Sequence, residues 1–189
     1  MTPDRYLLCT QQKWGETVYQ EAKARATPAE DWTLLMLPET DAAQFDLRWL
    51  VGNIRPRLVF FVHWSTLVPM DVLELAECVN FHCTALPYGR GGHPIENLIL
   101  RGKTETVLTA HRMTGETDAG PIYGQLGPVS LAGMKAQILA RFVAPCVALA
   151  RELVEHPERA PVPQAGDVER FYRLSPAEYQ ALWASRMVM

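Results

Sequence analysis

The sequence predicts an α/β, Rossmann-like fold with a mostly parallel sheet, helices on both faces and an antiparallel extension in the second half. Short apolar runs alternate with helical stretches as far as residue 82, which is typical of a doubly wound parallel sheet. The run Leu58–Val62 is apolar at every position, as expected for a strand buried on both faces. A chain of 189 residues is expected to form one domain.

The first half contains four predicted strands and three predicted helices. The apolar runs place the strands at 6–9, 32–37, 58–62 and 79–82. Helical spacing predicts helices at 16–25, 41–54 and 69–76, and Pro69 suits the first turn of the last one. In the helix over 41–54, the spacing places four apolar side chains on one face: Phe45, Trp49, Leu50 and Ile54.

The second half has a different rhythm. It predicts a long loop at 83–92, a helix at 94–100, and two strands at 105–112 and 121–126. A helical pattern over 131–154 contains Pro145, which is expected to kink or divide it. Residues 156–166 are rich in proline. We therefore predict a main domain over residues 1–155 and a short C-terminal tail over 156–189 that packs on it.

Composition narrows the class of protein. The net charge of −3 argues against a general nucleic-acid-binding surface. No apolar run is long enough for a membrane span, and the first residues show no basic region followed by an apolar stretch, so no signal peptide is predicted. The four cysteines are scattered, which favours reduced thiols in a cytoplasmic protein. The oligomeric state stays open.

The chemistry is concentrated in Asn80, His82 and Asp118. Residues two apart in a strand face the same way, so Asn80 and His82 are expected to project together at the end of the fourth strand. Strand ends of open α/β sheets are the usual ligand sites. Taken singly, His82 is also compatible with a core histidine, and Asp118 with a turn residue before Gly120.

Five short motifs occur in a fixed order: Asn80-x-His82, Leu86-Pro87, Gly91, Thr109-x-His111 and Asp118-x-Gly120. Together they resemble the folate-dependent formyltransferase family, which includes glycinamide ribonucleotide, methionyl-tRNA and nucleotide-sugar formyltransferases. The resemblance covers residues 58–127 well. It implies formyltetrahydrofolate as the formyl donor, a primary amine as the acceptor, no metal, and a catalytic domain over 1–155.

The resemblance implies that Asn80, His82 and Asp118 are catalytic. When an amine attacks the formyl carbon, the formyl oxygen becomes negative, and Asn80 and a protonated His82 are expected to donate hydrogen bonds to it. Asp118 is expected to stabilise the imidazolium and to help remove a proton from the amine.

Two segments are predicted to hold the folate. The resemblance implies that the loop with His63 and Trp64, which follows the buried third strand, lines the folate pocket. Trp64 offers a flat apolar wall there, and the alternative is a tryptophan of the core. The resemblance implies that the segment 113–117 forms the opposite wall, chiefly through backbone groups, with contributions from Met113, Thr114, Gly115 and Thr117.

The resemblance implies that the loop Tyr88–Pro94 lies on the acceptor side. Its glycines, among them Gly91, permit close backbone approach to a ligand. Arg90 is expected to bind a phosphate or carboxylate in a bidentate manner, and Tyr88 and His93 are further candidates for contact with the acceptor. The alternative is a mobile loop with a solvated arginine.

Two rival chemistries fit less well. A zinc site built from Cys78, His82, Cys83 and His93 matches no structural zinc spacing. A Cys83 nucleophile with His82 as its base fails because adjacent strand residues face opposite ways.

The acceptor is predicted from departures within the resemblance. The first strand leads into residues 11–15, Gln-Gln-Lys-Trp-Gly, which lack the small residues of a phosphate loop and argue against glycinamide ribonucleotide. The additional domain of the tRNA enzyme is not seen. The glycine-rich loop and the tail are most similar to small formyltransferases that act on nucleotide-linked amino sugars. A formyltetrahydrofolate hydrolase and a catalytically silent ligand-binding module are the alternatives.

Overall fold

The computed structural model describes residues 2–42 and 45–187. Within them, the strands are β1 (Asp4–Thr10), β2 (Glu30–Met36), β3 (Leu58–Val62), β4 (Glu77–His82), β5 (Tyr88–Gly91), β6 (Glu105–Arg112), β7 (Ile122–Ser130) and β8 (Glu169–Phe171). The helices are α1 (Lys13–Ala24), α2 (Glu39–Ala42), α3 (Leu47–Ile54), α4 (Met70–Leu75), α5 (Pro94–Leu100), α6 (Lys135–Arg141), α7 (Val143–Glu155) and α8 (Pro176–Arg186).

The main sheet has the strand order β2-β1-β3-β4-β6-β7. The first four strands are parallel to one another, and β6 and β7 continue the sheet in antiparallel fashion from β4. The predicted α/β fold with a parallel sheet and an antiparallel extension is therefore confirmed. A second, two-stranded sheet pairs β5 with β8 of the tail in parallel.

The strand residues alternate between two cores, one on each face of the sheet. Tyr6 and Leu8 belong to the core that also contains residues of α1, α6 and α7, and Leu7 and Cys9 belong to the core under α3 and α4. Because both faces are covered, all five residues of β3 are buried. Burial on both sides explains why these strands are continuous apolar runs.

An aromatic row stiffens the first of these cores. Tyr6 and Trp32 have ring centroids 5.0 Å apart, Trp32 stacks on Phe60 at 5.7 Å, and Phe60 stacks on Phe81 at 6.0 Å. These residues come from β1, β2, β3 and β4, so the row crosses the four parallel strands. Stacked and tilted aromatic pairs add to the stability that their buried area provides.

The helix predicted over 41–54 is wrong in its continuity and in its buried face. The chain forms α2 and α3, and residues 43 and 44 of the predicted helix lie outside the described residues. The Asp46 side chain caps α3 by accepting a hydrogen bond from Trp49 N, which starts a new helix at Leu47. The buried face of α3 carries Leu47 and Val51, whereas Trp49 is 62% exposed.

Two further boundaries differ from the prediction. The pattern over 131–154 is divided, as Pro145 predicts, but the break lies at Phe142, between α6 and α7, because Pro145 sits in the first turn of α7, where no backbone N–H is needed. The loop predicted at 83–92 contains β5, which pairs with a strand about 80 residues further along the chain. A short strand with so distant a partner leaves little local signal in the sequence.

The described part of the tail lies against the main domain. Val162 forms a β-bridge with Ile122, and Asn97 Nδ2 donates to Tyr172 O over 2.8 Å. Helix α8 starts with a capping box between Ser175 and Glu178 and buries Trp183 in the larger core.

Candidate active site

The carboxyl ends of the parallel strands open into a cavity of about 530 Å³. Residues that follow β1, β3 and β4 line it, together with the loop between β6 and β7 and the first turn of α5. Open α/β sheets bind ligands at this edge. The sheet changes from parallel to antiparallel at β4. The polar residues of β4 therefore lie between strands from the two halves of the fold.

Asn80, His82 and Asp118 meet at this cavity. Asn80 and His82 are two residues apart on β4, and Asp118 reaches them from the loop between β6 and β7. Asn80 Nδ2 donates to Asp118 Oδ1 over 3.3 Å, and His82 Nδ1 lies 3.6 Å from Asp118 Oδ2. An amide, an imidazole and a carboxylate therefore lie within reach of one reacting group.

The imidazole of His82 is held in one tautomer. Its Nε2 lies 2.8 Å from Gly89 O, and a carbonyl only accepts, so Nε2 carries the hydrogen. Burial lowers the pKa of His82, and the opposing effects of Asp118 and of Gly89 O do not restore its ordinary value. The protonated imidazole expected from the sequence is therefore not the resting form at neutral pH, because the ring is buried.

Asp118 is an ionised carboxylate held from several sides. Burial alone would raise its pKa, but His82, His111 and the N–H of Gly91 outweigh burial and hold the pKa of Asp118 well below its usual range. Gly91 N donates to Asp118 Oδ2 over 2.9 Å. This bond shows how the glycine of β5 contributes to the site through its backbone.

His111 also belongs to this network, although the sequence argument assigned it no role. Its Nε2 lies 3.3 Å from Asn80 Nδ2 and 3.4 Å from Asp118 Oδ1, and its Nδ1 donates to Arg112 O over 2.9 Å. The antiparallel register places His111 directly opposite Asn80. The motif Thr109-x-His111 was the available signal, because it places both side chains on the sheet face that also carries Asn80 and His82.

Three non-glycine residues of the cavity wall have left-handed backbone conformations. The φ angles are 51° for His63, 48° for His93 and 52° for Asp118. Such conformations cost about 1–3 kcal/mol each and concentrate at functional sites. Their occurrence around one cavity supports its assignment as the site.

The two predicted folate walls both line the cavity. Trp64 and the segment 113–117 both belong to the cavity wall, and the Trp64 ring packs edge-on against Phe61 with centroids 5.5 Å apart. Burial and Lys135 lower the pKa of His63 to about 4, so its imidazole is neutral at physiological pH. The four residues predicted in the segment 113–117 also line the cavity: Met113, Thr114, Gly115 and Thr117.

The acceptor-side prediction divides. Gly91 and His93 line the cavity, but Tyr88 and Arg90 do not. The Tyr88 ring packs edge-on against Phe171. Arg90 is only 8% exposed, and its guanidinium donates two hydrogen bonds to Gln164 of the tail. The structure thus corrects the expectation that Tyr88 and Arg90 contact the acceptor directly.

A charged cluster in the cavity wall was not predicted from the sequence. Glu96 is buried, and its Oε1 lies 3.0 Å from Lys135 Nζ, which also donates to Tyr179 Oη over 2.7 Å. Burial opposes the charge of Lys135, but Glu96 and Tyr179 outweigh it and raise the pKa of Lys135. All three residues line the cavity, and they come from three distant segments, so no local pattern connects them.

In the described ranges, no group of three or more histidine, cysteine, aspartate or glutamate side chains is arranged to hold a metal ion. The four cysteines are buried free thiols, and burial raises the pKa of Cys78 and of Cys83 to about 12. None of the helices between residues 2 and 187, outside the gap at 43–44, is long and apolar enough to cross a membrane.

Similar proteins share both sequence and fold with this chain. It is 37% identical over 74 residues to the methionyl-tRNA formyltransferase of Campylobacter fetus. The aligned segment covers 39% of this chain and 24% of that protein. The chain therefore spans only part of the length of this curated relative. A methionyl-tRNA formyltransferase structure from Clostridium thermocellum has a TM-score of 0.83 at 28% identity, over 93% of this chain and 74% of the other.

Two more distant structures share the fold. HypX from Aquifex aeolicus, solved in complex with tetrahydrofolic acid, has a TM-score of 0.75 at 18% identity, over 92% of this chain and 30% of HypX. A sugar N-formyltransferase from a Shewanella species has a TM-score of 0.69 at 14% identity, over 95% of this chain and 86% of the other. A sequence model of the formyl transferase family matches residues 7–139, so the chain belongs to that family.

Proposed function

We propose that this chain transfers the formyl group of formyltetrahydrofolate to a primary amine of a small molecule. The observation that carries the proposal is the contact between Asn80, His82 and Asp118 at the carboxyl edge of the sheet. The family match and the tetrahydrofolic acid bound to HypX support a folate as the formyl donor.

The proposed reaction begins when the amine nitrogen attacks the formyl carbon. A C–N bond forms, and the formyl oxygen takes the negative charge. Both hydrogens of the Asn80 amide are engaged, with Asp118 Oδ1 and with His111 Nε2, and both bonds are 3.3 Å long. We infer that one of these long bonds is exchanged for the formyl oxygen, because hydrogen bonds of a free site commonly tighten only with substrate.

The amine must then lose a proton. With Nε2–H donated to Gly89 O, the lone pair of His82 Nδ1 is available, and it faces Asp118 Oδ2. We infer that the proton arrives at Nδ1, where the carboxylate stabilises the imidazolium. The tetrahedral intermediate then re-forms its C=O bond and breaks its bond to the folate nitrogen, which takes the proton from the His82 imidazolium and leaves as tetrahydrofolate.

The acceptor that we propose is a nucleotide-linked amino sugar. The cavity wall also carries Glu96, Lys135, Tyr179 and Arg173, a mixture of groups suited to hydroxyls and phosphates. Arg173 Nη2 donates to Ser65 O over 2.8 Å, which holds this cation beside the cavity. The sugar N-formyltransferase of the same fold is in line with this class of acceptor.

The test is an amine screen that follows both consumption of formyltetrahydrofolate and formylation of each amine. We expect transfer to at least one amino sugar, and we expect Asp118→Asn and His82→Ala to lower the rate at least about a hundredfold. Asp31→Asn and His156→Ala are matched controls at exposed positions outside the site, and they should keep wild-type turnover.

The other outcomes are distinct. Donor consumption with no formylated amine would indicate a hydrolase, in which water replaces the amine. Absence of donor consumption in every condition would contradict both activities and leave a ligand-binding module. Near wild-type turnover in a folded Asp118→Asn or His82→Ala variant would remove these residues from the chemistry.

A further inference from the structure

The tail supplies a side chain that bridges two segments of the active site. Gln164 Oε1 accepts two hydrogen bonds from Arg90, from Nε over 3.1 Å and from Nη2 over 2.8 Å. Gln164 Nε2 donates two more, to Asp118 O and to Gly120 O, both over 2.8 Å. A carboxamide has two donors and two main acceptor positions, so Gln164 is fully satisfied by these partners.

The four bonds close a ring around the catalytic carboxylate. Gln164 holds the main chain on both sides of Ala119, while Arg90 fixes the strand that carries Gly91. Gly91 N in turn donates to Asp118 Oδ2. Both the backbone and the carboxylate of Asp118 are therefore positioned by groups that Gln164 contacts.

Asp118 needs such support, because its φ of 52° is unfavourable for a residue with a Cβ. Its carboxylate also forms bonds with separate partners through each oxygen, so a small rotation would weaken several contacts at once. Two short hydrogen bonds from one rigid amide oppose that rotation.

Gln164 is not needed merely to attach the tail. Arg101 Nε donates to Glu169 Oε1 over 3.0 Å, and Leu174 N donates to His93 Nδ1 over 2.9 Å. Helix α8 adds Trp183 to the larger core. With these other attachments present, loss of Gln164 is expected to act on Asp118 more than on the docking of the tail.

We propose that Gln164 is a positioning residue that holds Asp118 in its catalytic orientation, which makes the tail part of the active site. The catalytic part of this inference rests on the proposed formyl transfer, whereas the structural part does not. Gln164→Met removes all four bonds at similar volume. Gln164→Glu keeps the oxygens that Arg90 needs and removes both N–H donors to the Asp118 loop.

The first measurement needs no activity and follows amide hydrogen exchange at Gly91 by NMR. We expect exchange at least tenfold faster in both Gln164 variants, because the Gly91 N–H loses a well-placed Asp118 carboxylate. Glu169→Ala, which removes the hydrogen bond from Arg101 and does not touch Asp118, is the control and should leave that rate unchanged. Unchanged Gly91 exchange in both Gln164 variants would overturn the proposal, whatever reaction the protein catalyses.

The second measurement is kinetic. In both Gln164 variants, kcat should fall about 10- to 100-fold, with the KM of donor and acceptor within about twofold of wild type. In an Asp118→Asn background, Gln164→Met should cost less than about twofold, since the residue it positions is already disabled. An equal loss in both backgrounds would show that Gln164 acts independently of Asp118. Wild-type kcat in Gln164→Glu would assign the effect to Arg90 instead, and either result would overturn the proposal.

Discussion

At the scale of single residues, the site depends on strained backbone held by hydrogen bonds. Asp118 has an unfavourable φ, and it is stabilised by the amide of Gln164 and by Gly91 N. His63 and His93, which also line the cavity, carry the same kind of strain. Because Asp118 makes several of these contacts, a substitution at a residue that contacts it through the backbone is expected to lower the activity as strongly as a substitution of a side chain in the site.

Gly91→Ala tests this point. Gly91 has a φ of 109°, and a Cβ there would lie 2.4 Å from Phe171 O, a backbone atom that cannot move without disturbing the pairing of β5 with β8. We expect a loss of about 1–3 kcal/mol in the free energy of unfolding, measured in urea, and at least about tenfold lower formyl transfer.

Gly52→Ala is the matched control for that substitution. Gly52 lies inside α3, and an added Cβ meets nothing within 4 Å. Alanine should stabilise the helix by up to about 1 kcal/mol and leave the activity unchanged. If Gly91→Ala behaved like this control, the close approach at Gly91 would have no role in the site.

At the scale of secondary-structure elements, β4 is the organising strand. It is parallel to β3 on one side and antiparallel to β6 on the other. That arrangement sets Asn80 opposite His111 and His82 opposite Thr109. Three of these four side chains, those of Asn80, His82 and His111, line the cavity. The chemistry is thus located where the two pairing modes meet.

The edge of the parallel part is tied to a helix by charge. Glu30 at the start of β2 accepts two hydrogen bonds from Arg151 of α7, over 2.5 and 3.2 Å. Burial alone would raise the pKa of Glu30, but Arg151, the Trp32 indole and Thr27 N outweigh it and lower that pKa to about 2. The folded protein therefore holds this carboxylate ionised in acid, where the unfolded chain binds a proton.

This shift predicts a pH dependence of stability. The Glu30 contribution is fully present above its unfolded pKa of 4.5 and is lost as the pH falls toward the folded value of about 2. The lowered pKa corresponds to about 3 kcal/mol. Between pH 5 and pH 3, the free energy of unfolding should therefore fall more steeply in wild type than in Glu30→Gln, as measured by urea denaturation at each pH.

Glu21→Gln is the control for an exposed pair. Glu21 and Arg25 are 43% and 54% exposed, so their ion pair should contribute less than about 1 kcal/mol. Its pH profile should follow that of wild type. A Glu30→Gln profile parallel to wild type would contradict the assigned pKa of Glu30.

At the scale of the whole molecule, the cavity is shared among distant parts of the chain. Its lining comes from the loop after β3, the loop after β6, the first turn of α5 and the tail. Trp64, the segment 113–117, Lys135 and Tyr179 all belong to this lining. The proposed donor and acceptor sites therefore share one cavity.

Folate binding tests the proposed donor site at Trp64. Titration calorimetry with a folate analogue should show binding that does not change when a chelator is added, because the proposed contacts involve no metal. Trp64→Leu should raise the Kd about tenfold, in line with the loss of an aromatic wall. The exposed Trp49 is the control, and Trp49→Leu should leave the Kd unchanged. Loss of binding on chelation, or an unchanged Kd in Trp64→Leu, would contradict the proposed donor site.

Apolar runs in the sequence predicted the parallel sheet, and the ordered motifs of the family resemblance selected Asn80, His82 and Asp118, which the structure brings into contact. The strands are buried on both faces and so appear as continuous apolar runs, and the residues after β3 and β4 are placed at one edge by parallel topology. The division between α2 and α3 was missed because helical spacing alone did not distinguish one amphipathic helix from two.

Only the tertiary structure decided the partners of charged and polar side chains. The sequence presented Arg90 as a ligand-binding group, whereas the fold brings it to Gln164, 74 residues away in the chain, and buries it. The same holds for Glu96 with Lys135 and for His111 with Asp118. Repeating apolar patterns report local geometry, but a hydrogen bond between distant residues exists only after the chain has folded, and burial then sets the charge that each partner carries.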